Sequence, residues 1–118
     1  MRWGIAVVRG RSMLPTLRDG DRVLVAYGAR PRPGRLVVCR LPPDGEGRPR
    51  PLAIKRLTGP AAHHGLPGPG WWVERDNPAE GVDSWQVGAL PPEAILAVVL
   101  VRLPRAHGLR RRAGRGLR

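Results

Sequence analysis

The chain has 118 residues, a formal net charge of +12, 16 glycines, 14 prolines and one cysteine. A chain of this length forms one small domain, and its single Cys39 excludes an internal disulfide bond. The longest apolar run, residues 94–101, is far shorter than the ~20 residues that a membrane-spanning helix needs. We therefore expect a soluble, cytoplasmic protein, and its charge indicates an anionic partner such as nucleic acid, lipid headgroups or an acidic protein.

Short apolar runs rich in β-branched residues alternate with stretches rich in glycine and proline. This pattern predicts short strands joined by turns, and therefore a mostly-β single domain. We count about seven strands, and the clearest cover residues 3–8, 21–27, 35–41, 52–58, 71–74 and 94–103. Helix is expected only as single turns, one beginning at Ser12 and one around residues 92–94.

Residues 105–118 form a distinct segment with six arginines, three glycines and no apolar periodicity. This composition predicts a disordered basic tail that follows a domain formed by residues 1–104. The tail either solubilises the protein or docks on an anionic partner, which includes the surface of a membrane. Signatures of helix-turn-helix, zinc-finger and RNA-binding sheet domains are absent from the sequence, so we expect no specific nucleic acid partner.

Ser12 lies on a turn between the first two predicted strands, and Lys55, the only lysine, lies inside the fourth. A serine hydroxyl becomes a nucleophile when a base removes its proton, and lysine can do so when burial keeps its amine neutral. The three histidines, His63, His64 and His107, lie in a loop or in the tail and not on a rigid element. Ser12 and Lys55 are therefore candidates for a hydrolytic dyad. Alternatively, Ser12 caps a turn and Lys55 is a strand residue whose amine reaches solvent.

Three stretches resemble the motifs of the signal peptidase I family of serine proteases, in the family's order. Residues 10–17 read Gly-Arg-Ser-Met-Leu-Pro-Thr-Leu and residues 20–25 read Gly-Asp-Arg-Val-Leu-Val, similar to the nucleophile motif. Residues 54–59, Ile-Lys-Arg-Leu-Thr-Gly, resemble the lysine motif, and residues 75–78 with 83–88 resemble the closing motif. The resemblance implies the β fold shared by signal peptidases and self-cleaving repressor proteases. A short chain with a basic tail most resembles the subgroup that matures nickel-type superoxide dismutase.

The resemblance implies a role for each matching residue. Ser12 would be the nucleophile, with its backbone N–H in the oxyanion hole, and Lys55 would be the general base. Asp83 and Ser84 would brace the lysine strand, and Asp76 and Asn77 would support the site from the closing motif. Substrate would bind as an added strand beside residues 7–10 and 23–25, at Val7, Val8, Gly10, Met13, Val23 and Val25. No metal and no cofactor is implied.

This chain departs from the family's pattern at four positions around the expected site. Gly10 stands where some relatives have a serine that donates to the oxyanion, so the hole would rest on backbone donors. Gly81 stands where many relatives place a serine near the lysine. Arg75 replaces the first glycine of the closing motif and Trp85 replaces its arginine. The usual arginine partner of Asp83 is therefore missing from its expected position.

Two functions are compatible with these observations. The first is a serine endopeptidase that removes an N-terminal leader from a precursor protein, with a nickel superoxide dismutase precursor as the expected substrate. Only 11 residues precede Ser12, too few for the upstream domain and cleavage site of a self-cleaving repressor, so we expect cleavage of a separate protein. The second is a non-catalytic basic adaptor that binds nucleic acid or an acidic protein through residues 105–118.

Overall fold

The computed structural model describes residues 2–105, which form a single mostly-β domain, as predicted. All of its strand pairings are antiparallel, and the six strands of the described range form one sheet in the order β1-β2-β6-β3-β4-β5. The strands are β1 (Arg2–Val7), β2 (Arg22–Tyr27), β3 (Leu36–Cys39), β4 (Ala53–Pro60), β5 (Trp71–Glu74) and β6 (Ile95–Arg102).

The sheet carries an apolar cluster on each of its two faces, because successive side chains of a strand point to opposite faces. On β3, Val37 and Cys39 belong to one cluster and Val38 to the other. On β6, Val98 belongs to the first cluster, whereas Ala97 and Val99 belong to the second. These strands are apolar on both faces because both faces are covered.

The last strand of the described range lies in the middle of the sheet. β6 pairs with β2 on one side and with β3 on the other, so it joins two halves that make no strand pairing with each other. One half is the β1–β2 pair, which flanks the serine turn, and the other is the β3–β4–β5 meander, which carries Lys55. The two candidate catalytic residues therefore come from opposite halves.

The short helical segments agree only in part with the sequence-based expectations. A 3-10 turn is present at Pro92–Ala94, as expected, whereas residues 12–16 form a turn without a helix. Two segments were not expected, a 3-10 turn at Ala61–His64 and a one-turn helix, α1, at Ser84–Val87. The described residues hold six strands and not about seven.

Helix α1 has a local cause that the sequence contains. The Asp83 carboxylate accepts a hydrogen bond from the helix backbone, and Gln86 bonds back to the Asp83 N–H, which completes a capping box. An acidic cap followed three residues later by glutamine is a recognised start signal for a helix. A helix of one turn is too short to show an apolar period, so only this cap marks it in the sequence.

The beginning of the basic segment contacts the domain. Arg105, which the sequence assigned to the tail, forms an ion pair with the buried Asp21, and Arg102 lies 3.8 Å from the same carboxylate. The predicted disorder of residues 106–118 concerns residues outside the described range. Within residues 2–105, the longest helix is a single turn, and none is long and apolar enough to cross a membrane.

Leu57 tests the packing of the face that also holds Lys55. Its side chain is fully buried on β4, so Leu57→Ala should lower the free energy of unfolding by about 2–5 kcal/mol, measured by urea denaturation. Leu100→Ala on β6, where the side chain is 40% exposed, should change it by less than about 1 kcal/mol. Equal losses in the two variants would contradict the described core.

Candidate active site

The turn that carries Ser12 is held at both ends by backbone hydrogen bonds and by buried side chains. Val8 N donates to the Asp21 carbonyl and Gly20 N donates to the Val8 carbonyl, each at 2.8 Å. Inside the turn, Met13 and Leu17 are buried in the core. This anchoring fixes the serine at the point where β1 has ended and β2 has not yet begun.

Lys55 reaches Ser12 from the middle of β4. Its side chain is only 4% exposed, and its Nζ lies 2.7 Å from Ser12 Oγ, which is hydrogen-bond distance. Lys55 lies opposite Val37 on β3 and shares its face of the sheet with the buried Leu57. The structure thus brings together the two residues that the sequence analysis proposed as a dyad, and it excludes a solvent-reaching amine.

Burial lowers the pKa of Lys55 below the ordinary lysine value of 10.5. The main cause is desolvation, which disfavours the ammonium form. The nearby carboxylate of Asp83 acts in the opposite direction, while the guanidinium of Arg75 lowers the pKa further. Burial also raises the pKa of Cys39 to about 12, so at neutral pH this thiol carries no charge that would hold a proton on Lys55.

Asn77 fastens the serine turn to the closing motif. Its backbone N–H donates to the Ser12 carbonyl at 2.8 Å, and its side-chain amide donates to the Arg11 carbonyl at 2.9 Å. Because both acceptors are main-chain groups of the turn, Asn77 fixes the backbone position of the nucleophile. Its predicted supporting role therefore has a physical basis in these two bonds.

Asp76 connects the serine turn to the lysine strand. Its carboxylate accepts two hydrogen bonds from Arg56, at 2.7 and 2.9 Å, and a third from the Thr16 hydroxyl. The bonds to Arg56, followed by the one from Thr16, hold the pKa of Asp76 below its usual range. Arg56 follows Lys55 directly, and Thr16 is in the serine turn. The carboxylate of Asp76 therefore links the strand of Lys55 to the turn of Ser12.

Asp83 and Ser84, which we expected to brace the lysine strand, bond to residues of β5 and to Arg75, the residue that follows it. Ser84 Oγ accepts a hydrogen bond from the Val73 N–H, and Asp83 Oδ2 accepts one from the Arg75 N–H, each at 2.9 Å. The lysine strand gains from these bonds only through its pairing with β5. The physical reason is the sheet order, which places β5 between α1 and β4. The direct influence of Asp83 on Lys55 is electrostatic.

Arg75 supplies the arginine that the closing motif lacks at Trp85. Its Nε lies 3.9 Å from Asp83 Oδ2, and its Nη1 donates to the Gly81 carbonyl at 2.7 Å and to Gln86 Oε1 at 3.0 Å. These bonds close the loop between residues 75 and 86. Trp85 instead points outward and donates its indole N–H to Glu74 at 2.7 Å.

Gly81 lies against Ser12, and sequence reasoning assigned it no positive role. A Cβ atom added at this position would stand 2.5 Å from Ser12 Cβ, and the φ angle of Gly81 is +105°. Both the space and the backbone conformation therefore require glycine. This loop therefore packs directly against Ser12.

A cleft of about 230 Å³ opens beside the dyad. It is bounded by Val7, Val8 and Met13 on one side and by residues 50–55 on the other, with Ser12 between them. Three of the six residues predicted to contact substrate, Val7, Val8 and Met13, therefore line the cleft. Within residues 2–105, the Ser12 N–H donates to no acceptor, which leaves it available to bind an oxyanion.

The other three predicted substrate contacts do not line the cleft. Val23 and Val25 are fully buried, and both edges of β2 are occupied, by β1 and by β6, so no added strand can pair there. That expectation was wrong because β6 inserts beside β2. Gly10 has its N–H engaged by Asp19 at 2.7 Å and has a φ angle of +84°, so it shapes the turn instead.

The described histidines take no part in the site. His64 stacks on Trp72 with ring centroids 3.8 Å apart, and neither His63 nor His64 lines the cleft. His107 lies outside the described residues. Among residues 2–105, no three His, Cys, Asp or Glu side chains come together in a way that could hold a metal ion.

Comparison with known proteins adds no assignment to this geometry. A scan of the chain against protein-family models finds no match, and a search of curated proteins finds none either. The arguments for function therefore rest on the residues of this chain.

Gly81→Ala tests the close approach to Ser12. The added methyl group must displace the serine turn, so this variant should lose at least about 1 kcal/mol more unfolding free energy than Gly68→Ala. Gly68 is a matched control, because its φ angle is +80° but the space around it is open. Urea unfolding of both variants measures the difference, and equal losses would show that the approach to Ser12 imposes no steric constraint.

Proposed function

We propose that the protein is a serine endopeptidase in which Ser12 is the nucleophile and Lys55 the general base. The observation that carries this proposal is the 2.7 Å contact between Ser12 Oγ and the amine of a lysine that is 4% exposed. A lysine buried merely for packing would need no serine at its tip, and a serine capping a turn would need no amine. The pairing of both in one cleft supports a shared chemical role.

The mechanism follows from the charge state of Lys55. Its lowered pKa raises the fraction of neutral amine, which accepts the Ser12 hydroxyl proton as Oγ attacks the carbonyl carbon of the substrate. The resulting ammonium then gives its proton to the leaving amine as the peptide bond breaks. The neutral amine formed in this step takes a proton from the water that attacks the acyl carbon. The bond between this carbon and Ser12 Oγ then breaks, and the Lys55 ammonium returns the proton to Oγ, which restores the free enzyme and releases the carboxylic acid product.

The negative charge of the tetrahedral intermediate is met by a main-chain donor. The Ser12 N–H donates to no other group in the described range, and one such donor typically supplies about 3–4 kcal/mol of transition-state stabilisation. The bonds from Asn77 and the packing of Gly81 hold this N–H in place. Gly10 adds no hydroxyl, so the hole rests on backbone donors.

A substrate segment would bind in extended form beside β1. This strand is at an edge of the sheet and pairs only with β2 among the described residues, so its outer edge has free backbone groups. Its final residue, Val7, and the adjacent Val8 line the cleft next to Ser12. The expected reaction is removal of a leader from a precursor protein, and the resemblance of the motifs favours a nickel superoxide dismutase precursor.

Substitution of the dyad tests the proposal. Ser12→Ala and Lys55→Met should each lower the rate of leader cleavage at least about 10³-fold, because nucleophile and base act as a unit. Intact-mass analysis of a recombinant superoxide dismutase precursor that retains its leader measures the product. Thr58→Val is the matched control, because Thr58 is an exposed residue on the same strand as Lys55 whose hydroxyl donates to the Trp72 carbonyl and does not line the cleft, and this variant should cleave at the wild-type rate. Full activity in Ser12→Ala or in Lys55→Met would refute the dyad.

The pH profile tests the identity of the base. Lys55 must be neutral, so log(kcat/KM) should rise by about one per pH unit and level off at an apparent pKa below 10.5. The rate rises with pH because deprotonation increases the fraction of neutral amine, and burial moves this rise to lower pH. Unfolding curves recorded at each pH provide the control for loss of structure. A kcat/KM that falls as the pH increases, while the protein stays folded, would exclude Lys55 as the base.

A further inference from the structure

The cleft beside the dyad carries an uneven distribution of charge. Two arginines, Arg9 and Arg50, line it together with Lys55, and none of the nine aspartates and glutamates of the chain does. Most of the remaining lining is apolar, with Val7, Leu52 and Ile54 among its residues. Because Lys55 is neutral when it acts as base, the working cleft is apolar with two guanidinium groups.

Arg50 is already held in position. Its Nη1 donates to the carbonyls of Pro42 and Pro43, at 2.7 and 3.0 Å, and the residue is half-buried. A guanidinium has five N–H donors, and within residues 2–105 the other side of this one has no acceptor. Such a preorganised fork can give two parallel hydrogen bonds to a carboxylate at a small entropic cost.

Arg9 provides a second positive group close to the nucleophile. It is exposed, it lines the cleft, and within the described range it forms no ion pair. The nearest acidic residues in sequence are engaged elsewhere, since Asp19 accepts from Gly10 N and Asp21 pairs with Arg105. Within the described residues, Arg9 therefore has no carboxylate partner at ion-pair distance.

We infer that the cleft selects a substrate segment with an acidic side chain among small apolar residues, bound through Arg50 with assistance from Arg9. This inference rests on the proposed function, because it takes the cleft as the place where the substrate lies. Arg9 is three residues from Ser12, and Arg50 is five residues from Lys55. Even a fully extended chain would therefore separate the backbones of Arg9 and Ser12 by at most about 10 Å, and those of Arg50 and Lys55 by at most about 18 Å. The acidic residue would therefore lie within about five residues of the cleaved bond.

Binding of short peptides tests this selectivity without requiring turnover. The probes are nonapeptides of alternating alanine and valine, blocked at both ends and carrying a neutral fluorophore, with one glutamate placed at each position in turn. A second series has glutamine in place of glutamate. Fluorescence anisotropy with the full chain bearing Ser12→Ala should show at least about fivefold tighter binding for the best glutamate peptide than for its glutamine counterpart. This preference should shrink as salt is added.

Arg50→Gln should remove the preference for glutamate, and Arg9→Gln should reduce it. Arg48→Gln is the matched control, because Arg48 has the same charge on the same loop but is exposed, pairs with Glu46 and does not line the cleft. It should keep the full preference. Equal binding of the glutamate and glutamine series to the Ser12→Ala chain that retains both arginines, or binding of neither series, would overturn the inference. If Arg48→Gln lost the preference as strongly as Arg50→Gln, the inference would also be overturned, because the overall positive charge of the protein would then be enough to explain the preference.

The same peptides separate this inference from the proposed function. Incubation with the wild-type chain, followed by mass spectrometry, shows whether they are cut. Selective binding of glutamate peptides without cleavage of any peptide or precursor would leave the inference standing and count against the endopeptidase. Cleavage of both series at equal rates would support the endopeptidase and overturn the acidic selectivity.

Discussion

The contact between Lys55 and Ser12 depends on the removal of an amine from water. An ammonium group in an apolar setting is costly unless it is paired, and the usual response of a protein is a lowered pKa. Here the nearest carboxylate, Asp83, is itself engaged by Arg75 and by two backbone N–H groups. It therefore offers Lys55 less compensation than a free carboxylate would. The lowered pKa and the hydrogen bond to Ser12 reduce this cost, and the same lowered pKa is what the proposed role of Lys55 as a base requires.

The other features of the site maintain this contact. Asn77 and Asp76, adjacent in the chain, bond to the serine turn, and Asp76 also bonds to the neighbour of Lys55. Gly81 closes the remaining space beside Ser12. Residues 76–81 thus form a connection between the two halves of the sheet. Arg75 stabilises this segment through its hydrogen bonds to the Gly81 carbonyl and to Gln86.

The parts of the site that local sequence determines were predictable. The strand periodicity, the turn at Ser12 and the single lysine in an apolar strand are all properties of short stretches, and the structure has each of them. The apolar run at residues 23–26 indicates that Val23 and Val25 are buried, as they are. The same run gives no sign that they lie away from the cleft. That outcome depends on β6 pairing with β2, which no pattern within residues 21–27 can indicate.

The sequence did not indicate, for a similar reason, that Arg75 takes the place of the arginine expected at position 85. Arg75 and Trp85 each looked like a separate departure from the family's pattern. They compensate only because the loop between them brings residue 75 back to Asp83, a spacing that the fold creates. A search for arginines near Asp83 at any offset in the sequence would have identified Arg75 as a candidate partner. A similar search for a partner of Asp76 would have identified Arg56, which follows Lys55.

The central position of the last strand affects when the protein becomes complete during synthesis. Ser12 and Lys55 belong to halves of the sheet that only β6 joins, and β6 ends at Arg102. A nascent chain that has released only residues 1–94 from the ribosome lacks the strand on which both halves align. Because domains fold as units once their sequence has emerged, the dyad would assemble after nearly all of the described domain has been made. A truncated translation product lacking β6 would accordingly contain both reactive side chains without the scaffold that brings them together.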